Sequence, residues 1–228
     1  MVPSGISAAD IFTLMEFSVS KSLLISGMFL LLAVTGCNVT KPSEKALSHL
    51  STSYDVDEVG YCYGHGCQHK GLVSLSEGQW LEIQKLFKAK ELSPAEERQA
   101  ITVAIGRIEA IAGQQNGTDK DKAGTFISDV GDRQLDCIDE AVNASNFISL
   151  IERDGLLKYH ALREPMLRSW VNGNILHATA VLEQVTGNNS AKSNMWSVDS
   201  SFFKNGEKAT LSPLEQWQTG WVPEGGVN

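Results

Sequence analysis

The chain has no basic face. Its 27 aspartates and glutamates outnumber 19 lysines and arginines, for a formal charge of -8 at pH 7, and no basic and aromatic cluster is present to neutralise phosphates. A nucleic-acid partner is therefore not expected, and the same charge gives no reason to expect an acidic substrate. Long apolar runs are missing too. The best one, residues 23–33, falls short of the roughly 20 residues that a bilayer span requires, and behind Lys21 it has the length of a signal-peptide apolar region. Cysteine is scarce, with four in 228 residues, so each one has to be accounted for. What remains is the make-up of an ordinary globular protein, 42% hydrophobic and 20% charged, with length enough for one domain and its core.

Directly after the apolar run stand Val34-Thr35-Gly36-Cys37. This sequence resembles a bacterial lipobox, in which small residues precede a cysteine that is diacylated and becomes the new N-terminus. The resemblance implies that residues 1–37 form a lipoprotein signal peptide, with Met15 giving a more typical start than Met1, and that Cys37 carries the lipid. Asn38, not being aspartate, implies sorting to an outer membrane. A plain signal anchor or a cleaved secretory peptide is the alternative. The expected location is thus the cell envelope, anchored through an N-terminal lipid and facing the periplasm. Residues 38–57 are polar and are expected to form a tether, with residues 58–228 as a single α+β domain.

An oxidising compartment favours pairing of accessible cysteines. Cys62 and Cys67 lie in Cys62-Tyr63-Gly64-His65-Gly66-Cys67-Gln68-His69, where a disulfide across the glycine turn is the simplest reading. A metal held by Cys62, His65, Cys67 and His69 is the second, although the spacing matches no standard zinc module, and free thiols are the third. No metal or other cofactor is expected. Cys137 is left over.

Ser76, with Gln79 at the capping-box position, opens a helix to about residue 89 that places Trp80, Ile83, Leu86 and Phe87 on one face. Ser93-Pro94-Ala95-Glu96 opens another, with Ile101, Ile105, Ile108 and Ile111 as its stripe, before a polar loop over residues 113–121. A third helix is expected from Cys137 to residue 151 or 152. Asp136 is its N-cap, Asp139 and Glu140 lie in the turn where the macrodipole favours negative charge, and Asp154-Gly155 ends it. Cys137, Ala141, Ala144, Ile148 and Ile151 share a face, so the sulfur points to the core side. Two readings fit such a thiol: a small buried hydrophobe, or a nucleophile favoured by the macrodipole and a nearby histidine. Asp136 and Asp139 work against the thiolate.

The clearest strand pattern runs over residues 176–185, with His177, Thr179, Val181 and Glu183 alternating against Leu176, Ala178, Ala180 and Leu182. Residues 195–203 form a second candidate strand, and Gly187-Asn188-Asn189-Ser190 between them has turn composition. A hairpin centred on Asn188 sets His177 opposite Asp199 on one face, about 5 Å apart at Cβ. A carboxylate there would orient the imidazole and stabilise its protonated form. A register slip of one residue would part them.

Asp136-Cys137-Ile138-Asp139-Glu140-Ala141 at a helix start, His177-Ala178-Thr179-Ala180-Val181 on one strand and Trp196-Ser197-Val198-Asp199 on the next follow a Cys, His, Asp order. The pattern resembles the transglutaminase-like and bacterial transglutaminase-like cysteine proteinase group of the papain-like superfamily, though Leu135 stands where that group has glycine. The segment 134–217 also resembles a family of uncharacterised proteobacterial proteins with Pro-Leu-x-x-Trp near the C-terminus, here Pro213-Leu214-Glu215-Gln216-Trp217. The resemblance implies a papain-like fold, with a central helix on a small antiparallel sheet and additional N-terminal helices. It also implies Cys137 as nucleophile, His177 as general base, Asp199 as orienter, and an oxyanion hole from the Cys137 backbone N–H, with Gln134 as a further donor. The expected chemistry is acyl transfer on a peptide or envelope protein; the alternative is a non-catalytic interaction lipoprotein.

Overall fold

A computed structural model describes residues 54–88, 90–124, 131–168, 176–185 and 194–226; the apolar run, Cys37 and the tether up to residue 53 lie outside them. The chain is an α+β protein with two antiparallel sheets. The first sheet holds β1 (Tyr54–Asp55), β2 (Glu58–Tyr63) and β3 (His69–Val73) in that order. Tyr54 already pairs with Val59, so the four residues before Glu58 belong to this sheet and not to the tether. Val56 explains the difference: it packs on the core, and its carbonyl accepts the Leu75 N–H at 2.8 Å.

Helix α1 (Glu77–Lys88) begins with the expected reciprocal cap, Gln79 N–H to Ser76 Oγ and Ser76 N–H to Gln79 Oε1, and buries Trp80, Ile83 and Phe87. Helix α2 (Pro94–Asn116) starts from the Ser93/Glu96 capping box and runs through Gly113, four residues into the stretch expected to be a loop. Gly113 marks a close approach, not a helix end. A Cβ there would lie 2.7 Å from Asn205 Oδ1 and 3.0 Å from the Asp119 backbone, and the actual C-cap is Gly117 at φ 73°.

Helix α3 (Cys137–Arg153) lies between the two sheets and is buried nearly all round. Its Phe147, Ile148 and Ile151 are fully buried in the main core, each contributing about 1.5–3 kcal/mol by area. Toward the first sheet it presents amides. β1 is described over two residues, and among the described residues β2 beyond Val59 has no strand neighbour on that edge. Asn143 takes the vacant place, accepting the Cys62 N–H at 2.7 Å and donating to the Cys62 carbonyl at 2.9 Å, and Asn146 donates to the Gly60 carbonyl.

The second sheet runs β4 (His160–Arg168), β5 (His177–Gln184), β6 (Met195–Asp199), β7 (Thr210–Pro213), each antiparallel to the next, and the short α4 (Leu214–Gln218) follows. The β5–β6 ladder pairs Ala180 with Val198 and Glu183 with Met195. Continued outward, it sets Thr179 against Asp199 and His177 against Ser201, two residues from the expected register. A shift of two preserves the face, so the side chains of His177 and Asp199 still meet, as diagonal neighbours. Among the described residues no helix is long and apolar enough to cross a membrane.

Candidate active site

Four element ends converge at one end of the second sheet. β5 begins at His177, β6 ends at Asp199, β4 ends at Arg168 paired with His177, and α3 begins at Cys137. Cys137 is 7% exposed and packs on Ala141 and on Ala178, the residue after His177. The helix start and the strand start therefore touch.

The imidazole is fixed more fully than sequence order implied. His177 Nε2 lies 2.7 Å from Asp199 Oδ2, both groups buried. Trp217 Nε1 donates to the same carboxylate oxygen at 2.9 Å, while Asp199 Oδ1 accepts the Ser201 hydroxyl at 2.7 Å and the Ser201 N–H at 3.2 Å. The ring packs, tilted, against Phe202 and Trp217 at centroid distances of 5.1 and 5.7 Å. Burial acts to raise the Asp199 pKa, but His177, Ser201 and Trp217 outweigh it and hold the carboxyl below its ordinary value. Asp199 is thus an ionised carboxylate with four donors, in the position of a histidine orienter.

Arg168 adds a buried cation. Its Nη1 donates to the Trp217 carbonyl at 2.5 Å and the Trp221 carbonyl at 3.2 Å, and the guanidinium lies 4.8 Å from the Trp217 ring centroid. Burial lowers its pKa, and Asp199 and Cys137 act in the opposite direction. The pairing of Arg168 with His177 is a register fact with no local sequence signal. Ser201 carried none either, whereas Trp217 was visible as the last residue of Pro-Leu-x-x-Trp without a role attached.

The thiol itself is a protonated group at rest. Burial, then the Asp136 carboxylate, push its pKa well above the ordinary thiol value, and the Ala178 N–H offsets a part. Two other buried carboxyls are shifted upward, Glu109 to about 8 and Asp121 to about 7, in each case by burial first. Glu140 is also raised by burial, with Asp121, Glu109 and Asp199 adding repulsion.

The first turn of α3 is capped as expected and then clamped from outside. Asp136 Oδ1 accepts the N–H groups of Ile138 and Asp139, and the Asp136 carbonyl accepts that of Glu140. The Cys137 N–H is left as the first-turn amide with no acceptor among the described residues. Cys62 and Cys67 are bridged, and the chain that follows the strand is left-handed over four residues: Gly64, His65, Gly66 and Cys67 have φ of 83°, 68°, 63° and 59°. Such a run disfavours the two non-glycine residues by about 1–2 kcal/mol each, and it aims successive amides one way. They go to the cysteine segment: Gly64 N–H to the Gln134 carbonyl, His65 N–H to Asp139 Oδ2 at 2.8 Å, Gly66 N–H to Asp136 Oδ2 at 2.9 Å and Cys67 N–H to Asp139 Oδ1 at 2.6 Å.

The Gln134 side chain points to other work. Its Oε1 accepts the Lys122 N–H at 3.0 Å and its Nε2 donates to the Lys120 carbonyl at 3.3 Å. Both ends of the amide are committed to that loop, which argues against the oxyanion role expected of it. Among the described residues no group of three or more His, Cys, Asp or Glu side chains is placed to hold a metal ion. Comparisons with protein-family models, with curated proteins and with solved structures find no match for this chain.

Proposed function

We propose that the chain is an envelope lipoprotein carrying a Cys-His-Asp acyl-transfer site on a papain-like arrangement of helix and sheet, acting on a peptide or protein amide. The observation that carries this reading is the buried His177–Asp199 pair, held by Trp217 and Ser201, at the same sheet end as the thiol. Because the thiol is protonated at rest, His177 acts as a general base in the attack itself and not as one half of a standing ion pair. Its Nε2 is engaged by Asp199, so Nδ1 is the nitrogen that takes the Cys137 proton as the sulfur adds to the substrate carbonyl. Asp199 offsets the charge on the resulting imidazolium, and the Cys137 N–H faces the charge that develops on the carbonyl oxygen. The imidazolium then returns its proton to the departing amine, leaving a thioester. Water or a second amine, deprotonated by the same histidine, resolves it to hydrolysis or transfer.

One observation favours a second reading, in which the module is an interaction lipoprotein: the thiol is buried and its pKa is pushed upward. A cysteine-directed peptide electrophile separates the two. The catalytic reading expects modification of native protein at Cys137, none in Cys137→Ser, and at least tenfold slower labelling in His177→Ala. Labelling seen solely after unfolding in urea would favour the interaction module.

A further inference from the structure

The Cys62–Cys67 loop does nothing in the chemistry above, yet its four amides from Gly64 to Cys67 all end on residues 134–139. Asp139 is the centre of this contact: its carboxylate accepts the His65 and Cys67 N–H groups from the loop and the Asp136 N–H from its own turn. Asp136 divides its two oxygens between the loop and the helix cap. The two residues between these anchors are Cys137 and Ile138, so the loop sets where the sulfur stands relative to β5. The opposite wall of the same contact is covalent in origin. Cys62 is held from α3 by Asn143, Cys67 is held by Asp139, and the bridge closes the four residues between them into the left-handed turn.

We propose that the Cys62–Cys67 disulfide, acting through Asp136 and Asp139, is a positioning device for the Cys137 thiol, and that a dithiol reductant which opens it disengages the first turn of α3 and switches the site off. The step balances as ordinary exchange: a reductant thiolate attacks one sulfur of the bridge, its second thiol resolves the mixed disulfide, and two electrons leave two protein thiols and one oxidised reductant. Without the bridge, His65 and Cys67 have no covalent reason to stay at positive φ. Once they relax, the amides turn away from both carboxylates. The proposal rests on the reading of Cys137 as nucleophile for its consequence, and on the loop contacts alone for its mechanism.

The test measures amide hydrogen exchange and Cys137 alkylation on the folded chain in three forms: oxidised, reduced with dithiothreitol and desalted, and Cys62→Ser/Cys67→Ser. The expected result is at least tenfold faster exchange at Ile138, Asp139 and Glu140 in the second and third forms, with protection in β5 and β6 unchanged. Alkylation of Cys137 slows at least tenfold, its inflection moves to higher pH, and reoxidation of the wild type restores both. Unchanged exchange in the first turn overturns the proposal, and so does loss of protection through β5 and β6, because the bridge would then hold the whole fold. If exchange changes as expected while oxidised wild type never labels, the positioning contact stands and the nucleophile reading fails.

Discussion

Asp199→Asn removes the charge at the centre of the site with almost no change of shape. The native carboxylate accepts four bonds, two on Oδ2 from His177 and Trp217 and two on Oδ1 from Ser201. An asparagine does best with its oxygen in the Oδ2 place, where it serves two donors; its NH₂ then faces the Ser201 N–H, which loses its acceptor. Bonds to a charged group are worth about 1.5–3 kcal/mol and neutral ones about 0.5–1.5, and an abandoned buried donor costs about 1–3. The substitution therefore costs about 3–5 kcal/mol, the range known for breaking a buried ion pair. For a domain of this size that lowers Tm by roughly 6–20 °C. The sign with pH follows from the depressed Asp199 pKa: the carboxylate's contribution is fully present above the unfolded value of 3.8 and is lost below it, so the gap between variant and wild type closes at lower pH. Reactivity of Cys137 toward a peptide electrophile, read by mass spectrometry on protein kept well below its Tm, falls about 10²–10⁴-fold because the imidazolium loses its counter-charge. A variant that melts early yet labels at the wild-type rate would refute the orienter role and leave Asp199 a packing residue.

Two further outcomes test other parts of the account. Glu109 and Asp121 keep protons in the fold that the unfolded chain has already released, so stability declines as pH rises from about 5 to 8, by about 1.4 kcal/mol per pH unit for each group within its window; a Tm that climbs from pH 5 to 7.5, or a Glu109→Gln variant with the same slope as wild type, would contradict this. Gly106→Ala gains about 1 kcal/mol of helix propensity in α2, but its Cβ would lie 2.5 Å from the Glu207 carbonyl oxygen, so urea unfolding is expected to show a net loss of about 2 kcal/mol, and a stabilised variant would contradict the close approach of that loop.

What was legible in the sequence was local. Asp136, Ser93 and Ser76 announce their helices because a cap and its box lie within four residues of chain. The β5–β6 hairpin was recognisable by alternation, and its register missed by two because the turn that sets it carries no strict two-residue signature. The polar stretch from residue 113 reads as a loop because nothing local shows that Gly113 is small to admit Asn205 and Asp119 beside a helix that continues to Asn116. The groups that complete the site were out of reach for the same reason. Arg168 meets His177 through strand pairing, Trp217 reaches Asp199 from eighteen residues away, and the loop amides find Asp136 and Asp139 across more than sixty.

The pH dependence of Cys137 alkylation, compared between wild type and His177→Ala, bears most directly on whether an imidazole serves this sulfur. With His177 as base, the wild type labels at neutral pH, and the variant loses at least tenfold there while its inflection moves upward, toward that of a buried thiol with no base. Superimposable profiles would mean that thiol and imidazole do not work together.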